Sequence, residues 1–304
     1  MTEAPPIPGR QASRPHGLPA LGLSFVVIWC TGYIAGKLML EHSAPFTALV
    51  WRFGMAALVF AALALPRGIV RGAPRDWLHS AVTGVLMLSM QFGGVYLGMA
   101  LGAGAGVAAL VIGAMPLLVA LLAMLGGSER LSAIQWCGML LGFTGVLLVV
   151  ADRVDGATPA LAWIALLVGL LGISTGTLYQ KRFGSAVDLR VGLAIQNSAA
   201  TLLLLPLALA EGFRFEHASA FYAPLAWTVL VNSVGGFALL FVLIRRGAAT
   251  AVAALFFLMP PVTAVFGHWW LGEHLTPLKL CGFVLAAAGV WMATRQREPP
   301  TVEN

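Results

Sequence analysis

The chain has 304 residues, of which 59% are hydrophobic and only 10% are charged. A soluble domain carries roughly 25% charged residues, so the composition excludes a soluble globular protein. The isoelectric point is near 9.7, with 18 lysines and arginines against 12 acidic residues. Because the basic residues fall mainly between apolar runs, they indicate membrane topology and not a nucleic-acid partner.

Ten long apolar runs follow one another along the chain. Each is near the ~20 residues that a helix needs to span about 30 Å of hydrocarbon. The connections are too short to hold a soluble domain, so the runs predict an all-α polytopic membrane protein with ten transmembrane helices. They cover residues 18–39, 45–65, 77–99, 103–125, 132–151, 159–180, 190–210, 224–244, 247–270 and 275–294.

Residues 1–17 are rich in proline and polar residues and are predicted to form a disordered cytoplasmic tail. The run that follows is too long for a secretory signal and is followed by Lys37 instead of a cleavage site, so it is helix 1. Trp29, Tyr33 and Lys37 recur every fourth residue and share one stripe. This stripe either offers an aromatic wall and a cationic mouth to a substrate, or Trp29 packs and Lys37 snorkels to the outer interface.

Helices 2, 3 and 8 carry polar residues within their spans. Arg52 lies about two turns into helix 2, where a charge must face protein or water, so it is a candidate for substrate binding or gating. Gln91 in helix 3 and Asn232 in helix 8 are the neutral polar residues nearest the bilayer centre. Their amides need partners across a helix interface or in a wet cavity. His79, at the inner end of helix 3, is a pathway candidate, although an interfacial histidine is the preferred interpretation.

Helices 4 and 9 contain prolines at matching places, Pro116 in the first and Pro260 with Pro261 in the second. Proline breaks the helical hydrogen-bond ladder, and nearby alanines and glycines permit close approach, so these prolines are predicted hinges. The alternative is that each only bends its helix for packing. On the hinge interpretation both helices line the pathway. The side chains expected near its centre are Met115, Phe256 and Met259.

No Asp or Glu lies deep within a predicted span. Ion-coupled carriers often hold a carboxylate near the midplane, so the pattern favours a facilitator or exchanger, although His79, His268 or end carboxylates could still titrate. Glu129 and Glu273 follow helices 4 and 9. We interpret them as helix-end residues that mark the turn into the next helix.

The sequence offers no catalytic constellation. The six histidines are scattered without an HExxH-like pair, and no two acids pair within a span, which argues against a polytopic lipid-modifying enzyme. Cys30, Cys137 and Cys281 lie within spans without metal-ligand spacing. We therefore expect no disulfide, no metal and no cofactor.

A shift of 144 residues aligns the second half of the chain with the first. Within the 22 residues from Glu129, seven positions are identical without a gap. Five spans per copy is an odd number, so the second copy enters the membrane from the opposite face and the repeats are inverted. The matched pairs include Lys37 with Lys181, Met115-Pro116 with Met259-Pro260, Cys137-Gly138 with Cys281-Gly282, and Gly145-Val146 with Gly289-Val290.

The basic residues also predict orientation. Thirteen of them fall on the side shared by both termini and the even-numbered loops, against three on the other side. The positive-inside rule then places both termini in the cytoplasm, in a multi-pass protein of the cell (inner) membrane. The predicted units are a first five-helix repeat at 18–151, a second, inverted repeat at 159–294 and a cytoplasmic tail at 295–304.

Three pieces of the sequence carry a resemblance to a known family: Trp29-Cys30-Thr31-Gly32 with Lys37, Pro45 with Arg52, and the twice-occurring unit from Met115-Pro116 through Glu129 to Gly145-Val146. In their order and duplication they resemble the drug/metabolite transporter superfamily, EamA type, and within it the YddG-type exporters of aromatic amino acids. The resemblance covers the whole transmembrane region and implies a ten-helix carrier of small metabolites. The duplication is not kept at Arg52, because its counterpart in the second half is the neutral Gln196.

The preferred hypothesis is a carrier that exports amino acids, aromatic ones favoured, or similar small metabolites by alternating access. A cation or drug efflux carrier, or a metabolite importer of the same fold, is the alternative. The lack of a buried carboxylate counts against a cation site. The expected partners are a small-molecule substrate and the lipid bilayer, with no nucleic acid. The sequence leaves the oligomeric state open, and a monomer is compatible with it.

Overall fold

A computed structural model of the chain describes residues 18–65, 73–125, 132–151, 158–183, 187–217, 219–236, 239, 243 and 258–293. These residues are mostly helical and form no β-strand; a single antiparallel bridge joins Ser43 and Phe215 among them. Six helical stretches are long and apolar enough to span a membrane, and two shorter helices are also apolar. The described part of the chain therefore has the character of a multi-pass helical membrane protein.

The helices of the first half follow the predicted apolar runs. They are α1 (Leu18–Leu40), α2 (Pro45–Ala64), α3 (Pro74–Gly84), α4 (Gln91–Ala100), α5 (Ala105–Gly113), α6 (Met115–Leu125) and α7 (Ala133–Ala151). The predicted helix 3 is not a continuous α-helix, because the π-helical segment π1 (Val85–Met90) joins α3 to α4.

The second half contains α8 (Ala160–Phe183), α9 (Leu189–Ala210), α10 (Ser219–Ala226), the π-helical segment π2 (Trp227–Gly236), α11 (Met259–Leu271) and α12 (Pro277–Ala293). A shift of 144 residues carries π1 onto 229–234, which lies inside π2. π-Helical turns are rare and frequently occur at functional sites, so their recurrence at matched positions draws attention to these two spans. The first part of the predicted helix 9, at 247–257, lies outside the described residues.

Helix 4 is broken next to its proline. α5 ends at Gly113 and α6 begins at Met115, which places Pro116 in the first turn of α6, where a missing N–H leaves no helical bond unmade. Ala114 lies between the two segments; its N–H donates to the Leu110 carbonyl at 3.2 Å. The break therefore has the local cause that the sequence predicts.

Glycines allow α7 and α12 to pack with their backbones in contact. A Cβ atom placed on Gly145 would lie 2.6 Å from the Gly282 carbonyl oxygen, and one on Gly289 would lie 2.6 Å from the Gly138 carbonyl oxygen. Such distances are too short for real Cβ atoms, so only glycine fits at these positions. Small residues are the usual means by which transmembrane helices approach closely.

Helices of the two halves pack against one another throughout the described chain. α2 packs against α9, α5 against α11, and α7 against α12. α1 contacts π2 and α11, while α8 contacts α4, π1 and α6. The fully buried aromatic residues Phe53, Tyr96 and Phe221 belong to one large apolar core that draws on both halves.

Candidate substrate pathway

Arg52 is a buried cation in the second turn of α2, with 5% of its surface exposed. Its Nη1 donates a hydrogen bond to the Tyr96 hydroxyl at 3.1 Å, and its guanidinium carbon lies 4.4 Å from the centre of the Phe92 ring. Its Nε is buried and has no hydrogen-bond partner. The ion pairs found among the described residues involve other side chains, so no carboxylate there neutralises this arginine.

Tyr33 and Lys37, which share the helix 1 stripe with Trp29, contact different parts of the protein. Tyr33 is half-buried and packs against the main core. The Lys37 ammonium donates to the carbonyl oxygens of Met99 at 2.7 Å and Ala103 at 3.1 Å. A cation at the carboxyl end of a helix is favourable, so Lys37 is occupied in stabilising the end of α4.

Trp29 lies where α1, π2 and α11 meet. It packs in a cluster that contains Met259, and its ring contacts Phe25 at a centroid distance of 5.4 Å. Asn232 donates from its amide nitrogen to the Ile28 carbonyl of α1, whereas its Oδ1 is buried without a partner. Asn232 therefore bonds across a helix interface and also presents an unused acceptor.

The proline segments of helices 4 and 9 touch each other. A Cβ atom on Gly113 would lie 2.8 Å from the Pro260 side chain, which places the start of α11 against the break between α5 and α6. Pro261 is half-buried in the same first turn of α11. Met115 faces α8, where the Thr177 hydroxyl lies 3.8 Å from its sulfur. The predicted Phe256 lies outside the described residues.

Gln91 stands at the junction of π1 and α4 and is 5% exposed. Ser89, in the preceding π-helical turn, has a buried hydroxyl without a hydrogen-bond partner. The backbone of this junction lies against α8, because a Cβ atom on Gly169 would come within 2.8 Å of the Gln91 carbonyl oxygen. The junction thus combines irregular backbone with polar side chains inside a span.

His79 belongs to a separate aromatic group between the middle of α3 and the carboxyl end of α8. Its Nδ1 lies 2.7 Å from the Tyr179 hydroxyl, and its ring stacks on Phe183 at 4.5 Å with an interplanar angle of 9°. Within the described chain, no hydrogen bond or ring contact connects His79 with Arg52 or Trp29. This geometry separates His79 from the residues around Arg52 and Trp29.

Two carboxylates of the second half lie at the amino ends of first-half helices. Glu211 accepts hydrogen bonds from the backbone N–H groups of Phe46 at 3.0 Å and Thr47 at 3.3 Å in α2. Burial raises the pKa of the Glu211 carboxyl above its ordinary value, and these bonds oppose the rise. Glu273 likewise accepts from Ala105 and Gly106 at the start of α5. Glu273 does lie in the turn between α11 and α12, as the sequence indicates, and its carboxylate binds the start of helix 4.

Replacing Glu273 with glutamine is expected to lower the free energy of unfolding by about 1–2 kcal/mol, because an anion that accepts bonds at a helix amino end loses its charge. Thermal unfolding of the detergent-purified protein measures the change. The matched control is Glu216→Gln, whose side chain is 65% exposed in its pair with His42. That variant is expected to change stability by less than about 1 kcal/mol. Equal melting temperatures for the two variants would contradict a special role for Glu273.

The structure joins most of the predicted pathway residues into two groups. Trp29 and Met259 share one cluster, and Asn232 of π2 bonds to the Ile28 carbonyl next to Trp29, while Tyr33 and Arg52 belong to or border the other, larger core. Sequence reasoning missed Phe92, Tyr96 and Thr177. The first two had a usable signal, since they stand four residues apart on one face of helix 3 directly after Gln91.

The architecture, with its apolar spans and polar groups buried between them, is that of a multi-pass membrane transporter. The model of the EamA-like transporter family matches residues 19–151 and 160–295. These stretches include most of the chain, and the chain belongs to the EamA-like transporter family.

Several curated proteins are similar over nearly their whole length. The transporter YvbV of Bacillus subtilis is 28% identical, with 89% of this chain and 90% of that protein aligned. A probable terminal-alkyne amino-acid exporter of Streptantibioticus cattleyicolor is 27% identical, with 89% and 91% aligned. A probable amino-acid metabolite efflux pump of Escherichia coli is 24% identical, with 92% and 95% aligned.

A solved crystal structure has the same fold. It superposes with a TM-score of 0.65 at 18% sequence identity and covers 91% of this chain and 96% of its own. At this level of identity the similarity establishes the fold alone.

Proposed function

We propose that the protein is an alternating-access carrier that exports amino acids, with aromatic ones favoured as in YddG-type exporters, or similar small metabolites. It works as a facilitator or exchanger. Ten transmembrane helices form two inverted repeats, at 18–151 and 159–294, with both termini in the cytoplasm of the inner membrane. The observation that carries the proposal is the reciprocal packing of the two halves, because alternating access needs two equivalent units that can exchange roles.

The helix contacts support this two-fold relation. The contacts of α1 with π2 and α11 correspond, when the halves are exchanged, to those of α8 with π1–α4 and α6. Two further pairs, α2 with α9 and α7 with α12, each join a helix to its own counterpart, and the contact of α5 with α11 joins predicted helix 4 to predicted helix 9. The family model also matches two stretches of similar length that coincide with the proposed repeats.

The glycine contacts repeat the same relation at atomic scale. A shift of 144 residues carries Gly138 onto Gly282 and Gly145 onto Gly289. In each of the two cross-contacts among these four residues, a Cβ atom added to one glycine would lie 2.6 Å from the carbonyl oxygen of the other. The most strongly duplicated stretch of the sequence therefore lies where the two copies touch.

The substrate proposal rests on the chemistry of the pathway and on the relatives. The side chains around Trp29 are aromatic, aliphatic or sulfur-containing, and those around Arg52 are aromatic, which suits a flat apolar side chain. Two similar proteins are named as an amino-acid exporter and an amino-acid metabolite efflux pump, and the similar YedA of Escherichia coli is named as an inner membrane transporter. All six carboxylates of the described residues lie in loops or at helix ends, which supports transport without ion coupling.

Transport by the purified protein in proteoliposomes tests the proposal. Labelled phenylalanine, tyrosine, tryptophan and leucine are expected to cross the bilayer down their gradients, with or without a pH gradient. A flux that disappears without the proton gradient would overturn the facilitator mechanism. No flux across a broad amino-acid panel would overturn the assignment of substrate.

Trp29→Ala and Gln91→Ala are expected to lower transport efficiency by roughly tenfold, the effect of losing about 1.4 kcal/mol of substrate interaction. The matched control is Trp269→Ala, because this α11 tryptophan is 71% exposed. It is expected to transport like the wild type. If Trp29→Ala and Gln91→Ala also keep wild-type transport at equal expression, these residues do not line the pathway.

A further inference from the structure

The environment of Arg52 leaves a specific set of hydrogen-bond donors unused. A guanidinium carries five N–H donors in a planar fork. Nη1 is bonded to the Tyr96 hydroxyl, while the buried Nε has no partner. Nε and Nη2 form the side edge of the group, and no hydrogen bond to Nη2 is found within the described chain. The unused donors therefore share the edge with which arginine binds a carboxylate through two parallel bonds.

The neighbours of Arg52 do not neutralise its charge. The Phe92 ring, 4.4 Å from the guanidinium carbon, offers a cation–π contact that offsets part of the cost of burial. It accepts no bond from Nε, and a buried donor without a partner is costly. Buried charges in proteins are normally paired, and none of the ion pairs of the described residues includes Arg52.

A purely structural role for Arg52 would not explain why its counterpart in the second half is neutral. A shift of 144 residues carries Arg52 onto Gln196, which is neutral and bonds weakly to Gln180 at 3.4 Å. The two positions lie on α2 and α9, which pack against each other. An arginine that held this packing together would be needed equally in both copies, whereas recognition of one substrate needs the charge only once.

We propose that Arg52 is the subsite that binds the carboxylate of the transported molecule, with Tyr96 as its positioning residue. This rests on the proposed function and narrows it: the substrate is a small molecule with a free carboxylate and an apolar, preferably aromatic, body. The carboxylate binds the Nε–Nη2 edge, and the apolar body lies against Phe92, whose ring is 4.4 Å from the guanidinium carbon. The guanidinium is occluded in this conformation, so the substrate reaches it when the halves move apart.

The subsite predicts a substrate range that differs from that of a cation carrier. A cationic amine without a carboxylate meets an unpaired arginine and is repelled. An aromatic carboxylate without an amine keeps the main interaction and still binds. The presence of a carboxylate on the substrate therefore distinguishes amino-acid export from cation or drug efflux.

Binding to the purified, detergent-solubilised protein tests the subsite apart from transport. Three probes are compared by tryptophan fluorescence and isothermal titration: phenylalanine, 3-phenylpropionate and phenethylamine. Wild type is expected to bind the two carboxylates and not the amine. Arg52→Gln is expected to weaken carboxylate binding by about 10- to 100-fold, because a charge-assisted pair of bonds is lost. Arg52→Lys keeps the charge but not the planar fork of donors, and its affinity for the carboxylates is expected to fall about tenfold.

Controls separate this effect from misfolding. Arg75→Gln removes an arginine whose side chain is 83% exposed and is expected to bind like the wild type. Arg52→Gln removes a buried charge, so it is expected to melt at or above the wild-type temperature. Tyr96→Phe is expected to bind the carboxylates with several-fold lower affinity, because the Arg52 guanidinium is less firmly positioned.

The outcomes are distinguishable. Equal carboxylate binding by wild type and a folded Arg52→Gln overturns the subsite, as does binding of phenethylamine as tight as that of phenylalanine. Failure of the folded wild type to bind any carboxylate overturns it as well. Binding that depends on Arg52 without flux in proteoliposomes would leave the subsite in place and overturn the carrier function.

Discussion

Gly289→Ala is expected to lower the free energy of unfolding by about 3 kcal/mol or more, the upper range for overpacking a close contact. A Cβ atom at this position would overlap the backbone nitrogen and Cα of Gly142 in α7 and lie 2.6 Å from the Gly138 carbonyl oxygen. Backbone atoms cannot rotate away as a side chain can, so α7 and α12 must separate along their shared face. Thermal unfolding and the monodisperse fraction in size-exclusion chromatography measure the loss.

The same substitution elsewhere provides the control. Gly54→Ala, in α2, places its Cβ atom 3.7 Å from the Thr201 side chain, an ordinary van der Waals contact. Alanine is the better helix former by up to about 1 kcal/mol, so this variant is expected to be as stable as the wild type or more stable. If Gly289→Ala melts like Gly54→Ala, the backbone contact between α7 and α12 is not part of the folded protein.

The sequence predicted the positions of most helices closely. Residues 18–39 and 45–65 were predicted as spans, and the structure has helices at Leu18–Leu40 and Pro45–Ala64. The agreement has a physical reason: in hydrocarbon the backbone must satisfy its own hydrogen bonds, so an apolar run of sufficient length has few alternatives to a helix. The break at Pro116 was predicted for a similar reason, because its cause lies within one turn of the chain.

The π-helical segments and the partners of Arg52 could not be predicted in this way. π1 and π2 depend on how each span packs, and no residue type marks them as proline marks a break. The bond between Arg52 and Tyr96 joins positions 44 residues apart, and the bonds from Ala105 and Gly106 reach Glu273 across 168 and 167 residues. Such contacts require the relative depth and rotation of two helices, which hydropathy does not contain.

The two halves of the chain use different side chains at positions that lie 144 residues apart. Cβ atoms on Gly169 and Gly172 of α8 would lie 2.8 Å and 2.7 Å from carbonyl oxygens of Gln91 and Leu86, so backbones meet there. The equivalent positions in α1 are Phe25 and Ile28, whose large side chains fill the space toward π2 and α11. Side chains can change rotamers more readily than backbones can part. We therefore expect the interface of α1 to adapt more readily than that of α8 when the halves move.

The proposed carboxylate subsite at Arg52 also predicts a large effect on the rate of transport. If a substrate carboxylate pairs with Arg52, the loaded carrier changes conformation with the guanidinium paired, whereas the empty carrier must do so with a cation that no described carboxylate pairs with. A buried charge without its partner costs several kcal/mol. The return of the empty carrier is therefore expected to limit net transport.

Exchange is accordingly expected to be at least about tenfold faster than net efflux, which corresponds to a difference of about 1.4 kcal/mol between the loaded and empty barriers. Proteoliposomes preloaded with labelled phenylalanine measure this when they are diluted into buffer with or without saturating unlabelled phenylalanine. In Arg52→Gln the two rates are expected to become similar, because the empty site no longer carries a charge, while Arg75→Gln keeps the wild-type ratio. Net efflux as fast as exchange in the wild type would mean that the transported carboxylate does not pair with Arg52.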